Sequence, residues 1–250
     1  MNTLFAVAKN TFREAIRDRI LLVILFFAAL FLLAAPLAGK LSPGQGVRLV
    51  TDFGLAMLHI FGLFLTVFLG SRLVFHEIER KTIFLLLAKP LPRSHIIWGK
   101  FLGLSAVLLC TTALCSAVFF LLVTPTWSLV LIIGFIYLSL LLLLSIVLFF
   151  GTWMSPLLSS VASILFFLAG NISFSLRLFG ENMSVAGKYM TEFLYYFLPN
   201  FSSLNLKNFV LSGIPYTALN LIWIALMAII FLIIFLLAAS AIFTRKEFEQ

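Results

Sequence analysis

The chain has 250 residues, of which 63% are hydrophobic and only 10% are charged, and its mean hydropathy is +1.18. Too little polar surface remains to cover a soluble globule, so a soluble domain is excluded and an integral membrane protein is predicted. The formal net charge of +8 would suggest nucleic acid as a partner of a soluble chain. In a membrane protein it is a topology signal and an attraction to the lipid bilayer's anionic headgroups, so no nucleic-acid partner is expected.

Six long apolar runs predict six transmembrane helices. Hydrocarbon offers no water to backbone groups, so each span must be a helix of about 20 apolar residues or part of a closed barrel. The runs lack the polar alternation of barrel strands. The predicted spans are residues 20–38, 53–75, 101–124, 127–150, 156–176 and 218–243. We therefore predict an all-α integral membrane fold with residues 1–250 as one domain.

Residues 1–19 are predicted to form an amphipathic helix at the membrane interface. Its apolar residues recur at helical spacing, and its charged residues fall elsewhere. The candidate functional residues in this helix are Phe12, Arg13, Glu14 and Arg17. Cleavage of a signal peptide after the first apolar run is the alternative, but that run is longer than the usual h-region of about 7 to 15 residues.

The basic residues predict the orientation of the chain. With the amino terminus in the cytoplasm, most of the 17 Lys and Arg residues fall on the cytoplasmic side, so the positive-inside rule places both termini there. The basic residues left outside are Lys40, Arg48, Arg177, Lys188 and Lys207. Residues 177–217 then form a long extracytoplasmic loop, in which we expect short helices on or in the outer leaflet.

The spans carry few ionisable groups. Asp52 and Arg72 lie near span ends, whereas His59 lies well inside the second span. An ion-coupled transporter or an intramembrane hydrolase would need more, since ionisable groups at membrane depth mark such sites. We predict no catalytic residue, no metal site and no cofactor in this chain.

Small and polar residues in the second and fifth spans are interpreted first as packing and interhelical hydrogen-bonding positions. The alternative is that they line a transport pathway or a dimer seam. The candidates for that role are His59, Gly62, Thr66, Gly70, Ser160, Ser163 and Asn171.

The most polar stretch, HEIERKTIFLLLAKPLPRSHIIWGK, forms a cytoplasmic loop at residues 76–100, between the second and third spans. Charged residues give way to three consecutive Leu, and Pro90 then ends the element. A charged connector is the simpler interpretation, but an apolar ridge rimmed by both charge signs is better suited to a groove on another protein. We therefore predict a short coupling helix within a docking segment, residues 77–93. Its candidate contact residues are Glu77, Glu79, Arg80, Lys81, Thr82, Leu85, Leu86, Leu87, Lys89, Pro90 and Arg93.

These residues resemble a known family. The residues at Glu77, Glu79, Thr82, Ile83, Leu85, Leu86, Pro90, Arg93, Gly99 and Lys100 resemble the first cytoplasmic loop of ABC-2 type permeases. The branch that they resemble most includes the nitrous-oxide-reductase maturation permease. The stretch NTFREAIRDR resembles the connecting helix of that family, and LPNFSSLNLKN resembles its outer loop. Where the family usually has Gly before the Thr, this chain has Lys81.

The resemblance implies the permease subunit of an ATP-driven exporter in the bacterial cytoplasmic (inner) membrane. Two separate cytoplasmic ATP-binding subunits, which hold ATP and Mg, would dock on the 77–93 segment. The permease would pair with a second copy or a sister permease, with the pathway between protomers near the second and fifth spans. The chain itself carries no G-x-x-x-x-G-K-[ST] phosphate loop.

A second hypothesis is a mechanical or assembly protein that docks an ATPase and translocates nothing. It would relay motion to a periplasmic partner through residues 177–217. The absence of an evident polar pathway in the spans is compatible with this hypothesis.

Overall fold

The computed structural model describes residues 3–40, 46–79, 93–180, 185–207 and 217–245. Every element in these ranges is a helix, which confirms the all-α prediction for them. In chain order the helices are α1 (Thr3–Ile16), α2 (Arg19–Lys40), α3 (Gly46–Glu79), α4 (Arg93–Phe120), α5 (Trp127–Gly151), α6 (Pro156–Gly180), α7 (Val185–Phe197), α8 (Phe201–Leu204) and α9 (Ala218–Arg245).

Within the described residues, five helices are long and apolar enough to cross a membrane. They are Gly46–Leu73, Ser94–Phe120, Trp127–Gly151, Pro156–Ser173 and Ala218–Arg245. These coincide with five of the six predicted spans. The remaining one, α2, contributes a shorter apolar helix, Arg19–Ala34. The membrane class is thereby supported by length and composition, and the sixth span stays a prediction.

Helix α5 lies at the centre of the bundle, in contact with α3, α4, α6 and α9. Its side chains Leu143, Ile146 and Val147 are completely buried. Helix α9, in contrast, leaves apolar side chains such as Ile222 and Ile234 exposed. An apolar outer surface suits lipid, because hydrocarbon tails are as apolar as these side chains.

Several element boundaries differ from the predictions. The predicted loop at 76–100 is partly helical, because α3 continues to Glu79 and α4 begins at Arg93. No Gly or Pro interrupts residues 76–79, so the sequence contains no helix breaker before Glu79. Helix α4 ends at Phe120 rather than at residue 124, ahead of Pro125, which disfavours helix before it.

The bundle has two ends, which carry different helices. The α1 end carries α1, the end of α3 and the start of α4; the α7 end carries α7, α8 and the start of α9. At the α7 end α8 packs on α6, where a Cβ atom at Gly170 would lie 2.5 Å from the Pro199 carbonyl oxygen. Asn200 caps α8, because its side-chain oxygen accepts a hydrogen bond from the Ser203 N–H. These short helices fall within the predicted loop at 177–217.

Helix α1 packs against the first half of α4 with unusually close backbone approach. A Cβ atom at Gly103 would lie 2.6 Å from the Ala8 carbonyl oxygen and 2.8 Å from the Thr11 Cβ. One turn earlier, a Cβ atom at Gly99 would lie 2.7 Å from the Val7 Cβ. Only glycine fits at these two positions without displacing the α1 backbone or its side chains. The buried face of α1 is accordingly made of Ala8, Thr11 and Ala15.

The α1–α4 contact predicts opposite effects for two Gly→Ala substitutions. Gly103→Ala should lower the free energy of unfolding by about 1–3 kcal/mol, because the added methyl meets helix backbone that cannot move alone. Gly134→Ala, which meets no atom within 4 Å, should be neutral or stabilising by up to about 1 kcal/mol, since Ala favours helix over Gly. Thermal unfolding in detergent checks both. Equal melting temperatures for the two variants would contradict the close contact.

Candidate functional site

The predicted docking segment, residues 77–93, connects the end of α3 to the start of α4. Glu77 and Glu79 belong to the last turn of α3, and Arg93 is the first residue of α4. The other predicted docking residues lie outside the described residues: Arg80, Lys81, Thr82, Leu85, Leu86, Leu87, Lys89 and Pro90. Their role in docking stays a prediction, but both attachment points of the segment are known.

Lys100 joins α3 and α4 near these two attachment points. Its side chain is only 3% exposed, and its Nζ donates a hydrogen bond of 2.7 Å to the Leu73 carbonyl oxygen. A hydrogen bond to a charged group contributes about 1.5–3 kcal/mol, and a buried ammonium without partners would be strongly destabilising. The Lys100–Leu73 bond therefore ties the start of α4 to the end of α3, close to the docking segment.

A second contact ties the α1–α2 connection to α3. The Arg72 guanidinium lies 3.3 Å from the Asp18 carboxylate, which also accepts a hydrogen bond of 2.9 Å from the Ile20 N–H. Arg72 is half exposed, so the ion pair itself adds at most about 1 kcal/mol. At the other end of α1, Thr3 Oγ1 lies 3.0 Å from His95 Nδ1 of α4.

The predicted connecting residues lie on α1 and directly after it. Phe12 packs half-buried against the core, whereas Arg13 and Arg17 are exposed. Arg17 follows the last helical residue, and its N–H donates to the Glu14 carbonyl oxygen at 3.2 Å. We call α1, residues 72–79 and residues 93–103 the coupling bracket, because the contacts above join the three pieces.

The small residues predicted for the second span lie against α5. A Cβ atom at Gly62 would lie 2.6 Å from Leu140 Cδ1, and one at Gly70 would lie 2.9 Å from Val147 Cγ1. Thr66 donates its hydroxyl to the Gly62 carbonyl oxygen at 2.7 Å. Within one protomer, these residues therefore serve close packing of α3 on α5.

The polar residues predicted for the fifth span form hydrogen bonds within the bundle. Ser160 Oγ of α6 lies 2.8 Å from Ser71 Oγ of α3, which joins the two helices. Ser163 donates to the Ser159 carbonyl oxygen at 2.7 Å, and Asn171 Nδ2 donates to the carbonyl oxygen of Phe167 at 2.9 Å. Hydrogen bonds to the preceding turn satisfy such side chains inside hydrocarbon. Their exposure to a pathway between protomers stays a prediction.

His59 lies between α3, α5 and α6 near the α7 end. Its Nε2 is 3.3 Å from Ser139 Oγ. The His59 and Phe167 rings are nearly perpendicular, with their centroids 5.9 Å apart. The Ser139 hydroxyl hydrogen donates to the Ile136 carbonyl oxygen at 2.7 Å, so Oγ accepts from the histidine ring. His59 thus has a hydrogen-bond partner, as expected for a packed polar residue in a span.

Two charged residues near His59 were missed as members of this cluster. Lys207 follows α8 and interacts electrostatically with both His59 and Asp52. Asp52 and His59 are seven residues apart, which places them on one face of α3, and this spacing could have linked them. No sequence signal connects Lys207 to them. Nearby in sequence, the buried Asn205 Oδ1 accepts no hydrogen bond from the described part of the chain.

The electrostatics of Lys207 reflect two opposing causes. Burial lowers the pKa of Lys207 to about 8, and the Asp52 carboxylate partly offsets this effect. A lowered pKa means that burial disfavours the charged ammonium more than the carboxylate favours it. Lys207 is therefore partly neutral near physiological pH.

These clusters are contacts between helix ends and between helix faces. Within the described ranges, no three His, Cys, Asp or Glu side chains lie close enough to hold a metal ion.

Lys207 should react with amine reagents at lower pH than an ordinary lysine. Brief acetylation followed by mass spectrometry should reach half its maximal rate at about pH 8, because only the neutral amine reacts. Asp52→Asn should move this midpoint lower, since it removes the charge that favours the ammonium. Asp18→Asn at the α1 end serves as the control and should leave it unchanged. A midpoint near pH 10 would contradict the burial of Lys207.

Comparison with known proteins places this architecture in a family. No match to the chain was found among the curated proteins. The family model described as "ABC-2 family transporter protein" matches residues 5–248, which include all five candidate spans, the helices of the α7 end and the coupling bracket except the first two residues of α1. The chain therefore belongs to the ABC-2 transporter family and is a membrane component of an ABC transporter.

Proposed function

We propose that this chain is the permease subunit of an ATP-driven exporter, energised by separate ATP-binding subunits that dock on residues 77–93. Family membership supports the permease role. The sequence contains no G-x-x-x-x-G-K-[ST] phosphate loop, and the proposal accordingly assigns ATP hydrolysis to a separate subunit.

The coupling bracket is the observation that carries this proposal. The docking segment is attached to two helices that Lys100 ties together through the Leu73 carbonyl oxygen. The same start of α4 lies against α1 with no room for a side chain at Gly99 or Gly103. A displacement of the docking segment would therefore move α1, α3 and α4 as one body, because packed interiors shift between discrete arrangements and do not deform continuously.

The α3–α5 contact would carry this displacement into the centre of the bundle. Leu140 and Val147 of α5 leave no free space beside Gly62 and Gly70 of α3. Closure of the ATP-binding subunits would thus shift the bundle between inward-facing and outward-facing states. The transport pathway would lie between two protomers, near α3 and α6, with either a second copy or a sister permease as the partner.

We further propose a six-span topology with both termini in the cytoplasm of a bacterium. Helix α2 supplies the sixth span, since its 22 residues rise about 33 Å, enough to cross the hydrocarbon. The α1 end then faces the cytoplasm, in agreement with the basic residues of α1. Among ABC-2 families, the proposed branch is that of the nitrous-oxide-reductase maturation permease.

A second candidate function is mechanical relay without a translocated substrate. The observation that favours it is that two polar residues of α6 proposed for the pathway, Ser163 and Asn171, donate hydrogen bonds to their own helix. The relay would run through α6 to α8, which meet at Gly170, and end on a periplasmic partner. Flux that depends on ATP hydrolysis in proteoliposomes would favour transport. Hydrolysis that responds only to a periplasmic partner would favour relay.

Docking is tested by co-purification from the native membrane. The triple variant Glu79→Ala, Leu86→Ala, Arg93→Ala should co-purify with about one tenth or less of the ATP-binding subunit that the wild type retains. Truncating a few central contacts removes most of the binding energy of an interface. The subunit is quantified by mass spectrometry and by ATPase activity in the purified sample.

A matched triple variant at the α7 end, Lys188→Ala, Glu192→Ala, Phe193→Ala, should retain the wild-type amount. Loss of the ATP-binding subunit from both variants would point to general destabilisation. A wild-type chain that purifies without any ATPase under mild conditions would refute the proposed function.

A further inference from the structure

A cavity of about 350 Å³ lies at the α7 end, between α5, the α7–α8 segment and α9. This volume falls in the range of about 300–1,000 Å³ that is usual for small-molecule sites. The cavity is lined by none of the residues assigned above to docking, to the coupling bracket or to the predicted pathway or dimer seam. The cavity therefore has no role in the mechanism proposed for coupling.

The cavity opens sideways to the surroundings of the bundle. Trp223 of α9 and Tyr196 of α7 line it, yet they are 61% and 70% exposed. The same face of α9 continues outward through exposed apolar side chains such as Ile230 and Ile234. Trp and Tyr are enriched where the membrane meets water. The mouth of the cavity thus lies at the boundary between hydrocarbon and headgroups.

The lining of the cavity changes from polar to apolar with depth. Tyr195, Asn200 and Ser203 line its upper part and belong to the α7–α8 segment outside the spans, whereas Phe231 and Leu142 line its lower part. Phe231 lies about 12 Å further along α9 than Trp223, on the side away from the α7 end. Leu142 lies about 22 Å along α5 from the first residue of that helix, which is also at the α7 end. These distances reach the middle of a hydrocarbon core about 30 Å thick.

The upper part of the cavity offers a hydrogen-bond donor. Asn200 Oδ1 accepts from the Ser203 N–H and from the Ser202 hydroxyl, at 3.1 and 3.0 Å. Its Nδ2 donates to no other residue among those that the structure describes. An ester or phosphate oxygen at headgroup depth could accept this donor.

We infer that this cavity binds one acyl chain of an amphipathic membrane lipid from the leaflet at the α7 end. The acyl chain lies between Met227, Ala228 and Leu142, and the ester region lies beside Asn200. A water-soluble ligand does not match this site, because the lower half offers only apolar side chains and opens beside lipid. The inference goes beyond the proposed coupling to an ATPase and does not depend on it.

Photolabelling of the full chain in lipid nanodiscs tests the site. The probe is a phosphatidylcholine with a diazirine in the middle of one acyl chain, and labelled residues are located by mass spectrometry. Leu142 and Leu204 are 1% and 3% exposed, so surrounding lipid does not reach them. We expect label on these two residues in addition to the exposed Ile233 and Ile234, which surrounding lipid does reach.

Filling the cavity should remove the internal label only. Ala228 lines the cavity and is buried, so the substitution Ala228→Phe places a ring inside the cavity. Label on Leu142 and Leu204 should then fall about tenfold, while label on Ile233 should be unchanged. Ala241→Phe, at an exposed position of the same helix, should leave all labels at the wild-type level. If Ala228→Phe does not fold, as judged by its melting temperature, Ala228→Leu replaces it.

Two results would overturn the inference. Label confined to exposed residues in the wild type would mean that the cavity holds no acyl chain, whether water or a second copy of the chain fills it. Label that persists on Leu142 in a folded Ala228→Phe or Ala228→Leu variant would mean that lipid reaches this residue by another route.

Discussion

The close approach of α1 to α4 is the contact on which the α1 end depends. Carbonyl and side-chain atoms of Val7, Ala8 and Thr11 occupy the space that a side chain at Gly99 or Gly103 would need. Because the two backbones are this close, α1 has no freedom to tilt without moving α4. The buried Lys100 extends the constraint to α3, since its ammonium needs the Leu73 carbonyl oxygen in place of water. Three helices around the docking segment are thereby held in one arrangement.

The centre of the bundle is joined by a different kind of contact. Along α3, residues without large side chains let α5 approach, as Gly62 and Gly70 do against Leu140 and Val147. In hydrocarbon no hydrophobic driving force brings helices together, so close packing and a few hydrogen bonds must do so. The Ser71–Ser160 bond at 2.8 Å adds such a link between α3 and α6. The packing between α3, α5 and α6 is therefore contiguous from the α1 end to the α6 side of the bundle.

The α7 end differs in chemistry from the α1 end. Its helices pack over α6 and α9 with aromatic side chains, among them Phe201, whose ring centroid is 4.8 Å from that of Phe167. The same helices enclose the cavity beside α9. It also contains charges at partly buried positions, where Lys207 has a pKa of about 8 while Asp52 acts to raise it. The α1 end is thus a tightly packed junction of three helices, whereas the α7 end contains partly buried charges and a cavity. Apart from the first two residues of α1, both ends lie within residues 5–248, which the family model matches.

The sequence by itself determined the membrane class, the helical fold, five spans and the family, because each of these follows from local hydropathy or a contiguous motif. The sequence did not determine where the second span ends, because Glu77 and Glu79 are compatible both with a loop and with a longer helix, and α3 in fact continues to Glu79. Only the tertiary structure decided which carbonyl oxygen Lys100 meets, why Gly103 must be glycine, and that Lys207 lies near His59. The cavity beside α9 likewise required the fold, because its walls come from three separate parts of the chain. Hydropathy reports how favourable it is for each residue to lie in lipid. The contacts named here depend on which faces of different helices meet, and the periodicity of one helix does not encode that choice.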